Sequence, residues 1–312
     1  MLQIHHQSSF HIDELPAMQI GWQIDFTQLG PAKQKSSVNL LQTTNLDVCH
    51  FQFNAPFDQR LHAQPGYYSF GLPDPDVTGT SVLERVVTPG TIIVFPHNDE
   101  AYGASPAGFT GYGIHIRAKY LEAIAEIVFK KPLRSMIRAT GVYALTEIEF
   151  NLLRWELGKW WRLSATATTE NASPLVHREE ALVIAVLNGL RHSNEIGKSQ
   201  YRKSDRALRL VLDYVNAVPT QDISAVELCT IADCSQRWLE QCFKKRFGVT
   251  PKSYVKYLRL ARLRRDLLHS SHPKNQTVSG IASHYGFWHM GQLAADYRKL
   301  YGELPSVTMK RS

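Results

Sequence analysis

Cationic side chains and polar side chains that can form two hydrogen bonds lie close together in the segment 235–247. Guanidinium and carboxamide groups can pair with base edges in the major groove of DNA, while hydroxyl and ammonium groups can contact phosphates. Because Arg237 and Gln241 are four residues apart, a helix would place them on one face, where they are the leading candidates for base contacts. The base contacts expected of this segment are Gln236, Arg237, Glu240 and Gln241, and its expected backbone contacts are Ser235, Lys244 and Lys245.

The apolar positions of this segment recur 54 residues later. Leu239, Phe243, Phe247, Gly248 and Pro251 correspond to Leu293, Tyr297, Tyr301, Gly302 and Pro305. The spacing of four places the large side chains on one helix face, and the Gly and Pro mark where each helix ends. Upstream, Leu228-Cys229 matches Ile281-Ala282, so a short helix precedes each long one. The sequence therefore predicts two helix-turn-helix units.

The cations of the first unit also recur, since Lys244 and Lys245 correspond to Arg298 and Lys299. Together with His289 at the start of the second helix, they are the backbone contacts expected of the second unit. Between the units, the segment 251–269 is predicted to form a helix about 26–28 Å long. Its cations are Lys256, Arg259, Arg262, Arg264 and Arg265. We expect this cationic rod to space the two units for successive major grooves of one duplex.

Charge is distributed unevenly along the 312 residues. The net charge of +7 divides into −3 for residues 1–201 and +10 for residues 202–312. A small basic unit joined to a larger, nearly neutral one suggests a polyanion-binding module attached to a domain with another task.

The fold class predicted is α+β. Short strand-like runs at 37–44, 47–53, 66–72, 91–95 and 112–117 are separated by turn signals, which is typical of an antiparallel sandwich or small barrel. Helical spacing follows at 118–131, 146–163 and 174–192. We assign residues 1–192 to this first domain (β-rich 22–117, helical 118–192), 193–202 to a linker and 203–312 to an all-helical DNA-binding domain.

Composition places the chain among ordinary globular proteins, with 44% hydrophobic and 20% charged residues. No apolar run is long enough to span a bilayer, and the first ten residues lack the pattern of a secretion signal. Four cysteines are too few for a disulfide framework. We therefore expect a cytoplasmic protein with no membrane partner.

Two long motifs carry a resemblance to a known family. They are SQRWLEQCFKKRFGVTPKSYVKYLRLARLRRDLL and VSGIASHYGFWHMGQLAADYRKLYGELPS, which together span about residues 222–306. They resemble the AraC/XylS family of bacterial transcription regulators, and the second is similar to its XylS-like and ethanolamine-regulator-like branch. One departure is Asp233, where the first turn of the family commonly has Gly. Asp tolerates a left-handed backbone, so we expect the turn to persist.

The resemblance implies a cupin-like N-terminal domain that senses a small-molecule effector and often dimerises. It also implies a C-terminal DNA reader that activates transcription through RNA polymerase. In the second unit the family pattern places contacts at Met290, Gly291, Gln292, Ala294 and Ala295, which here are mostly small, and the base contacts expected are Met290 and Gln292. Because only Gln292 offers a forked group, we expect this unit to discriminate bases less strongly.

The effector itself is not identified by any motif. Candidate pocket residues on the predicted strands are Phe51, Phe53, Arg60, His62, Tyr68, Phe70 and Arg117, whose cations would suit an anionic ligand. Alternating aromatic residues in a sandwich are also typical of a packed core. A homodimer is expected to form through the helices at 119–131, 146–163 or 174–192, although their apolar faces could be used within the chain.

Two alternative functions remain open from the sequence. A metal-dependent cupin-type enzyme would need a cluster drawn from His50, His62, His97 and His115 with Glu84, Asp99 or Glu100. Their spacing shows no His-x-His pair followed closely by Glu, so we expect no enzymatic activity, no catalytic residues, no metal and no cofactor. The other alternative is a sequence-indifferent architectural DNA-binding protein, which would have little use for the large first domain.

Overall fold

The computed structural model describes residues 22–32, 36–83, 85–95, 100–137, 139–164, 173–197, 202–218, 223–268 and 276–311. The strands in chain order are β1 (Trp22–Gln28), β2 (Ser37–Gln42), β3 (Leu46–Phe53), β4 (Phe57–Ala63), β5 (Tyr67–Pro73), β6 (Thr80–Val82), β7 (Arg85–Val87), β8 (Thr91–Val94), β9 (Glu100–Ser105), β10 (Phe109–Arg117), β11 (Gly141–Ala144) and β12 (Asn194–Glu195). The helices are α1 (Ala118–Phe129), α2 (Glu147–Ser164), α3 (Ser173–His192), α4 (Arg202–Ala217), α5 (Ala225–Ala232), α6 (Gln236–Phe247), α7 (Pro251–Leu268), α8 (Val278–His284), α9 (Met290–Tyr301) and α10 (Pro305–Met309).

Two antiparallel sheets form the N-terminal part of the chain. One sheet has five strands in the order β1-β4-β9-β6-β7, and the other has seven in the order β12-β11-β8-β5-β10-β3-β2. The long strand β10 lies between β3 and β5 and pairs Ile114 with Val48 on one side and Phe70 on the other. The mixed α+β class, with sheets first and helices at the C-terminus, is confirmed.

Aromatic side chains fill the space between the sheets. Phe26 and Phe57 point inward from the five-stranded sheet, and Phe51 and Phe53 meet them from β3. The rings of Phe26 and Phe53 are 5.6 Å apart in an edge-to-face arrangement, which adds favourable geometry to the buried apolar area. On β4 the alternate residues Asp58, Arg60 and His62 belong to the opposite, outer face.

The seven-stranded sheet is covered on its second face by α1, α2 and α3. Val48, Ile114 and Ile116 pack there against helix residues such as Leu153 and Val186. Because this sheet is covered on both faces, every residue of β8 is buried. A reciprocal capping box begins α2, because Thr146 and Glu149 each accept the other's backbone N–H.

The predicted strands and helices are present, but seven of the described strands, β1 among them, were missed. β4, β6, β7, β9, β11 and β12 carry charged or small residues that weaken the alternation of apolar and polar positions. The first residues of the predicted linker pair with the sheet. Residues 194–195 form β12, and Ile196 donates its N–H to Val142 O at 2.8 Å. Residues 198–201 of that linker lie outside the described part of the chain.

The C-terminal region has two apolar cores joined by α7. The first half of α7 contributes Tyr254, Val255 and Leu258 to a core formed with α4, α5 and α6. The second half contributes Leu260, Leu263 and Leu267 to a core formed with α8 and α9. One continuous helix therefore belongs to both predicted units.

A buried cation stabilises the second core. The Arg264 side chain is 0% exposed and donates to Glu303 at 2.7 Å and to the hydroxyls of Tyr297 and Thr308 at 3.1 Å. Its guanidinium group also lies 4.6 Å from the centre of the Tyr301 ring. Partial burial opposes ionisation of Glu303, but hydrogen bonds from Arg264 and Thr308 outweigh it and lower the pKa of the carboxyl group.

Replacing Arg264 with Ala should reduce the free energy of unfolding by about 3–5 kcal/mol, because it leaves the partner carboxylate without its buried counter-charge. Urea denaturation of the full chain measures this change. Arg265→Ala is the matched control, since its ion pair with Asp25 joins side chains that are 38% and 41% exposed and should contribute less than about 1 kcal/mol. Equal, small losses for the two variants would contradict the structural role given to Arg264.

Candidate nucleic-acid interface

The first helix-turn-helix unit consists of α5, a tight turn and α6. Asp233 adopts the left-handed conformation at φ 48°, and the N–H of Cys234 bonds to Cys229 O at 3.1 Å. This is the Schellman arrangement that ends a helix, so the turn persists with Asp in place of Gly. Ser235 then caps α6 by accepting the N–H of Trp238 at 3.3 Å.

The two faces of α6 differ sharply. Leu239, Phe243 and Phe247 are buried in the core. The exposed side chains are Gln236, Arg237, Gln241, Lys244 and Lys245, with Glu240 partly buried. Gln236 Nε2 donates to Glu240 Oε1 at 3.0 Å, so these two predicted contacts are already paired with each other.

The second unit repeats this plan with α8 and α9. Gly302 ends α9 at φ 75°, as Gly248 ends α6 at φ 72°, which is the left-handed position that the sequence repeat predicts for both glycines. His289 occupies the N-cap position without a side-chain capping bond and is exposed. The other exposed residues of this helix are Gly291, Gln292, Ala295, Arg298 and Lys299.

Two residues predicted to contact bases in α9 have partners within the protein. Met290 is partly buried and packs against the second core. Gln292 Nε2 donates to Asp296 at 3.1 Å, and Asp296 in turn accepts a hydrogen bond from Lys256 at 2.9 Å. Reading a base with Gln292 would require this internal bond to be exchanged.

All five cations of α7 bond to protein groups. Lys256 pairs with Asp296 and Arg265 with Asp25, while Arg264 is buried. Arg259 donates to Tyr285 O at 2.6 Å, and Arg262 donates to carbonyls at the end of α4. These side chains hold neighbouring elements in place, which sequence spacing alone could not distinguish from contact with phosphates.

The outer face of the five-stranded sheet contacts the DNA-reading region. Tyr254 on α7 donates to Asp58 on β4 at 2.6 Å, and Gln28 donates to Leu300 O at the end of α9 at 2.8 Å. Burial raises the pKa of Asp58 even though the hydrogen bond from Tyr254 opposes this, and burial next to Asp58 raises the pKa of Tyr254. Leu29 of the sheet region also packs into the first core.

Only part of the predicted effector pocket comes together. Arg60 donates to Glu100 and to the Tyr102 hydroxyl, both at 2.8 Å, and His62 Nδ1 lies 3.3 Å from Glu100. Asp25, Tyr102 and Arg265 border a cavity near Arg60, between the sheet and α7. No sequence signal linked these three residues, because they are far apart along the chain.

The remaining candidates lie elsewhere. Phe51 and Phe53 are buried between the sheets, while Tyr68 and Phe70 belong to the core under the helices. Arg117 donates to Thr44 O at the far end of β10.

The histidines considered for a metal site are dispersed. His115 is fully buried, which lowers its pKa to about 3, and its Nδ1 lies 3.1 Å from Ser69 Oγ. His50 contacts Asp74 at 3.4 Å. Within the described ranges no group of three or more His, Cys, Asp or Glu side chains is arranged to hold a metal ion, and Glu84, His97 and Asp99 lie outside those ranges. The helices in the same ranges include none with the length and apolarity needed to cross a membrane.

Comparison with known proteins agrees with the geometry of the two units. Residues 228–311 match the family model described as a helix-turn-helix domain. The chain is 26% identical to "XylDLEGF operon transcriptional activator 3" of Pseudomonas putida over 232 residues, which cover 73% of this chain and 67% of that protein. It is 30% identical to the "XylDLEGF operon transcriptional activator" of the same species over 118 residues, which cover 38% of this chain and 36% of that protein.

A solved structure is also similar to part of the chain. It is described as a "probable AraC family transcriptional regulator from Rhodopseudomonas palustris", is 31% identical, and is aligned over 34% of this chain and 96% of its own, with a TM-score of 0.32. The family model and the similarity to the two activators identify residues 228–311 as a helix-turn-helix domain of the AraC/XylS type.

Proposed function

We propose that this chain activates transcription in the cytoplasm, as a homodimer that binds promoter DNA and contacts RNA polymerase under the control of a small-molecule effector. The proposal rests on the exposed polar faces of α6 and α9. Each face lies opposite a buried apolar stripe, and each helix shares a core with one half of α7. A plain helical bundle would not need cations at corresponding positions of both helices. Catalysis has no part in this mechanism.

The first unit supplies most of the base discrimination in this proposal. Arg237 and Gln241 are exposed on one face of α6 and offer a guanidinium group and a carboxamide to base edges. Gln236 and Glu240 contact bases beside them as a hydrogen-bonded pair. The backbone contacts of this unit are Ser235, Lys244 and Lys245.

The second unit relies more on the DNA backbone. His289, Arg298 and Lys299 are exposed and contact phosphates. Gln292 and Met290 are the base contacts proposed for this unit, but protein contacts restrict both. Gln292 is bonded to Asp296, and Met290 is partly buried against the second core.

The effector acts, in this proposal, on the contact between the sheet and α7. Arg60 and His62 lie on the sheet face that meets the reader, beside the Tyr254–Asp58 hydrogen bond. An anionic ligand that replaces Glu100 as the partner of Arg60 would bind the docked and undocked arrangements unequally. Unequal binding is what a ligand needs to shift the equilibrium between two arrangements.

We assign the dimer contact to an apolar stripe on α2. Ile148, Leu152 and Trp155 follow helical spacing and are 80%, 41% and 51% exposed. Glu147 precedes the stripe, and Lys159, whose ammonium group lies over the Trp155 ring, follows it. An antiparallel pair of such helices would bring the acidic end of each copy to the basic end of the other, so the occupant best suited to this stripe is a second copy of the chain.

Replacing Arg237 with Ala should weaken binding to a preferred duplex by about 1–3 kcal/mol and relax selectivity at one base pair. Lys245→Ala should instead weaken binding to all duplexes alike and reduce the slope of log affinity against log salt concentration by about one. The measurement is a salt series of affinities for a duplex selected from a random-sequence pool and for a scrambled duplex. Unchanged affinities for both variants would refute these contacts, and equal wild-type affinities for both duplexes would favour the architectural alternative.

Replacing Leu152 with Glu should convert the dimer to a monomer, because the charge would enter a contact that excludes water. Sedimentation equilibrium measures the mass of each species. Ile127→Glu is the matched control, since Ile127 is 63% exposed on α1 and should leave the dimer intact. If only Ile127→Glu dissociated the dimer, the interface would be on α1 and not on α2. A monomeric wild type would contradict the proposed dimer.

A further inference from the structure

The second reading helix has few side chains that could pair with base edges. Gly291 and Ala295 are exposed on α9 but carry no hydrogen-bonding side chain. The amide of Gln292 is already bonded to Asp296. At the corresponding positions of α6, Arg237 and Gln241 are available, so the second unit needs another contact if both units bind one duplex.

Trp288, just before α9, is exposed to an unusual degree. Its side chain is 75% accessible, whereas tryptophans are typically among the most buried residues on average. The adjacent Phe287 packs against the second core and lies 4.9 Å below the guanidinium group of Arg259. The turn therefore buries one aromatic ring and leaves the next in solvent.

The two units differ at this position. The turn of the second unit is one residue longer than that of the first. Cys234 corresponds to Phe287, since each donates its N–H to the carbonyl five residues earlier, Cys229 O and Ala282 O, both at 3.1 Å. Trp288 is the extra residue. The exposed indole is thus a feature of the second unit alone, and the fold of the helix-turn-helix does not require it.

Trp288 lies at the N-terminal end of α9, directly before the N-cap residue His289. Within the helix, Gln292, Ala295 and Lys299 follow at helical spacing on the exposed face. The buried residues Leu293, Tyr297 and Leu300 belong to the opposite face. The exposed ring is therefore next to the start of the helix that carries the second unit's cations.

An indole group matches the chemistry of a DNA backbone. Its ring is a broad apolar surface, and its Nε1–H is a single hydrogen-bond donor. The edge of a DNA groove presents deoxyribose rings, which are apolar, next to phosphate oxygens, which accept hydrogen bonds. A ring packed on a sugar could thus donate to the neighbouring phosphate without reading a base.

We propose that Trp288 is a backbone contact of the second unit, with its ring against a deoxyribose and its Nε1–H donating to a phosphate of duplex DNA. This inference rests on the proposed function, because it assumes that α9 faces DNA. It adds one aromatic side chain to the proposed backbone contacts of the second unit, which are His289, Arg298 and Lys299.

The test compares full-length wild type with Trp288→Ala and Trp288→Phe, using the selected and scrambled duplexes over a salt series. Trp288→Ala should weaken binding to both duplexes by the same factor, about 5- to 20-fold, because the contact carries no base information. The salt dependence should not change, since the indole is uncharged. Trp288→Phe should lose less, because it keeps a ring and lacks only the donor.

Val226→Ala is the matched control, since Val226 is 73% exposed on α5 of the first unit and should leave affinity unchanged. Wild-type affinity for Trp288→Ala would overturn the inference, as would a loss confined to the selected duplex, which would make Trp288 a base reader. Loss of promoter activation with unchanged DNA affinity would assign the ring to RNA polymerase and also overturn it. If the wild type bound no duplex, the proposed function itself would fail.

Discussion

The two helix-turn-helix units depend on a single helix that is buried in both of their cores. Tyr254 and Leu258 anchor the first half of α7, and Leu263 and Leu267 anchor the second. Because side chains in packed cores occupy defined positions, the relation between α6 and α9 is set by the length and straightness of α7. At about 1.5 Å per residue its 18 residues span about 27 Å.

Charge on α7 serves this rigidity rather than contact with DNA. Arg264 closes a buried network with Glu303 and Thr308, and Arg262 fixes the end of α4. The cations proposed to contact phosphates are instead exposed lysines and arginines at the C-terminal ends of α6 and α9. Those positions also favour each helix, since cations near a helix C-terminus interact favourably with its dipole.

The N-terminal domain docks on the same helix, at the surface where the proposed effector acts. The Tyr254–Asp58 hydrogen bond and the Gln28–Leu300 hydrogen bond connect the five-stranded sheet to α7 and to α9. A change in this docking would therefore act on both units together. The proposed effector needs to alter only one contact surface to change how the whole reader meets its promoter.

Much of the reader was predictable because its apolar stripes, turn glycines and following prolines repeat along the chain. Leu239 and Leu293 are buried as the repeat requires. The outer sheet was less predictable, since β4 alternates buried Phe57 and Leu61 with charged residues that face another domain instead of water. The roles of the α7 cations and of the cavity beside Arg60 depend on tertiary neighbours such as Asp25 and Tyr285, which no local pattern identifies.

In the proposed complex, both units hold one face of a single duplex at a distance fixed by α7. This arrangement can be measured by hydroxyl-radical footprinting of the full chain on a duplex selected from a random-sequence pool. We expect, for each bound chain, two protected patches centred about 10–10.5 base pairs apart on the same face of the DNA. A single patch for each chain, or two patches on opposite faces, would contradict it.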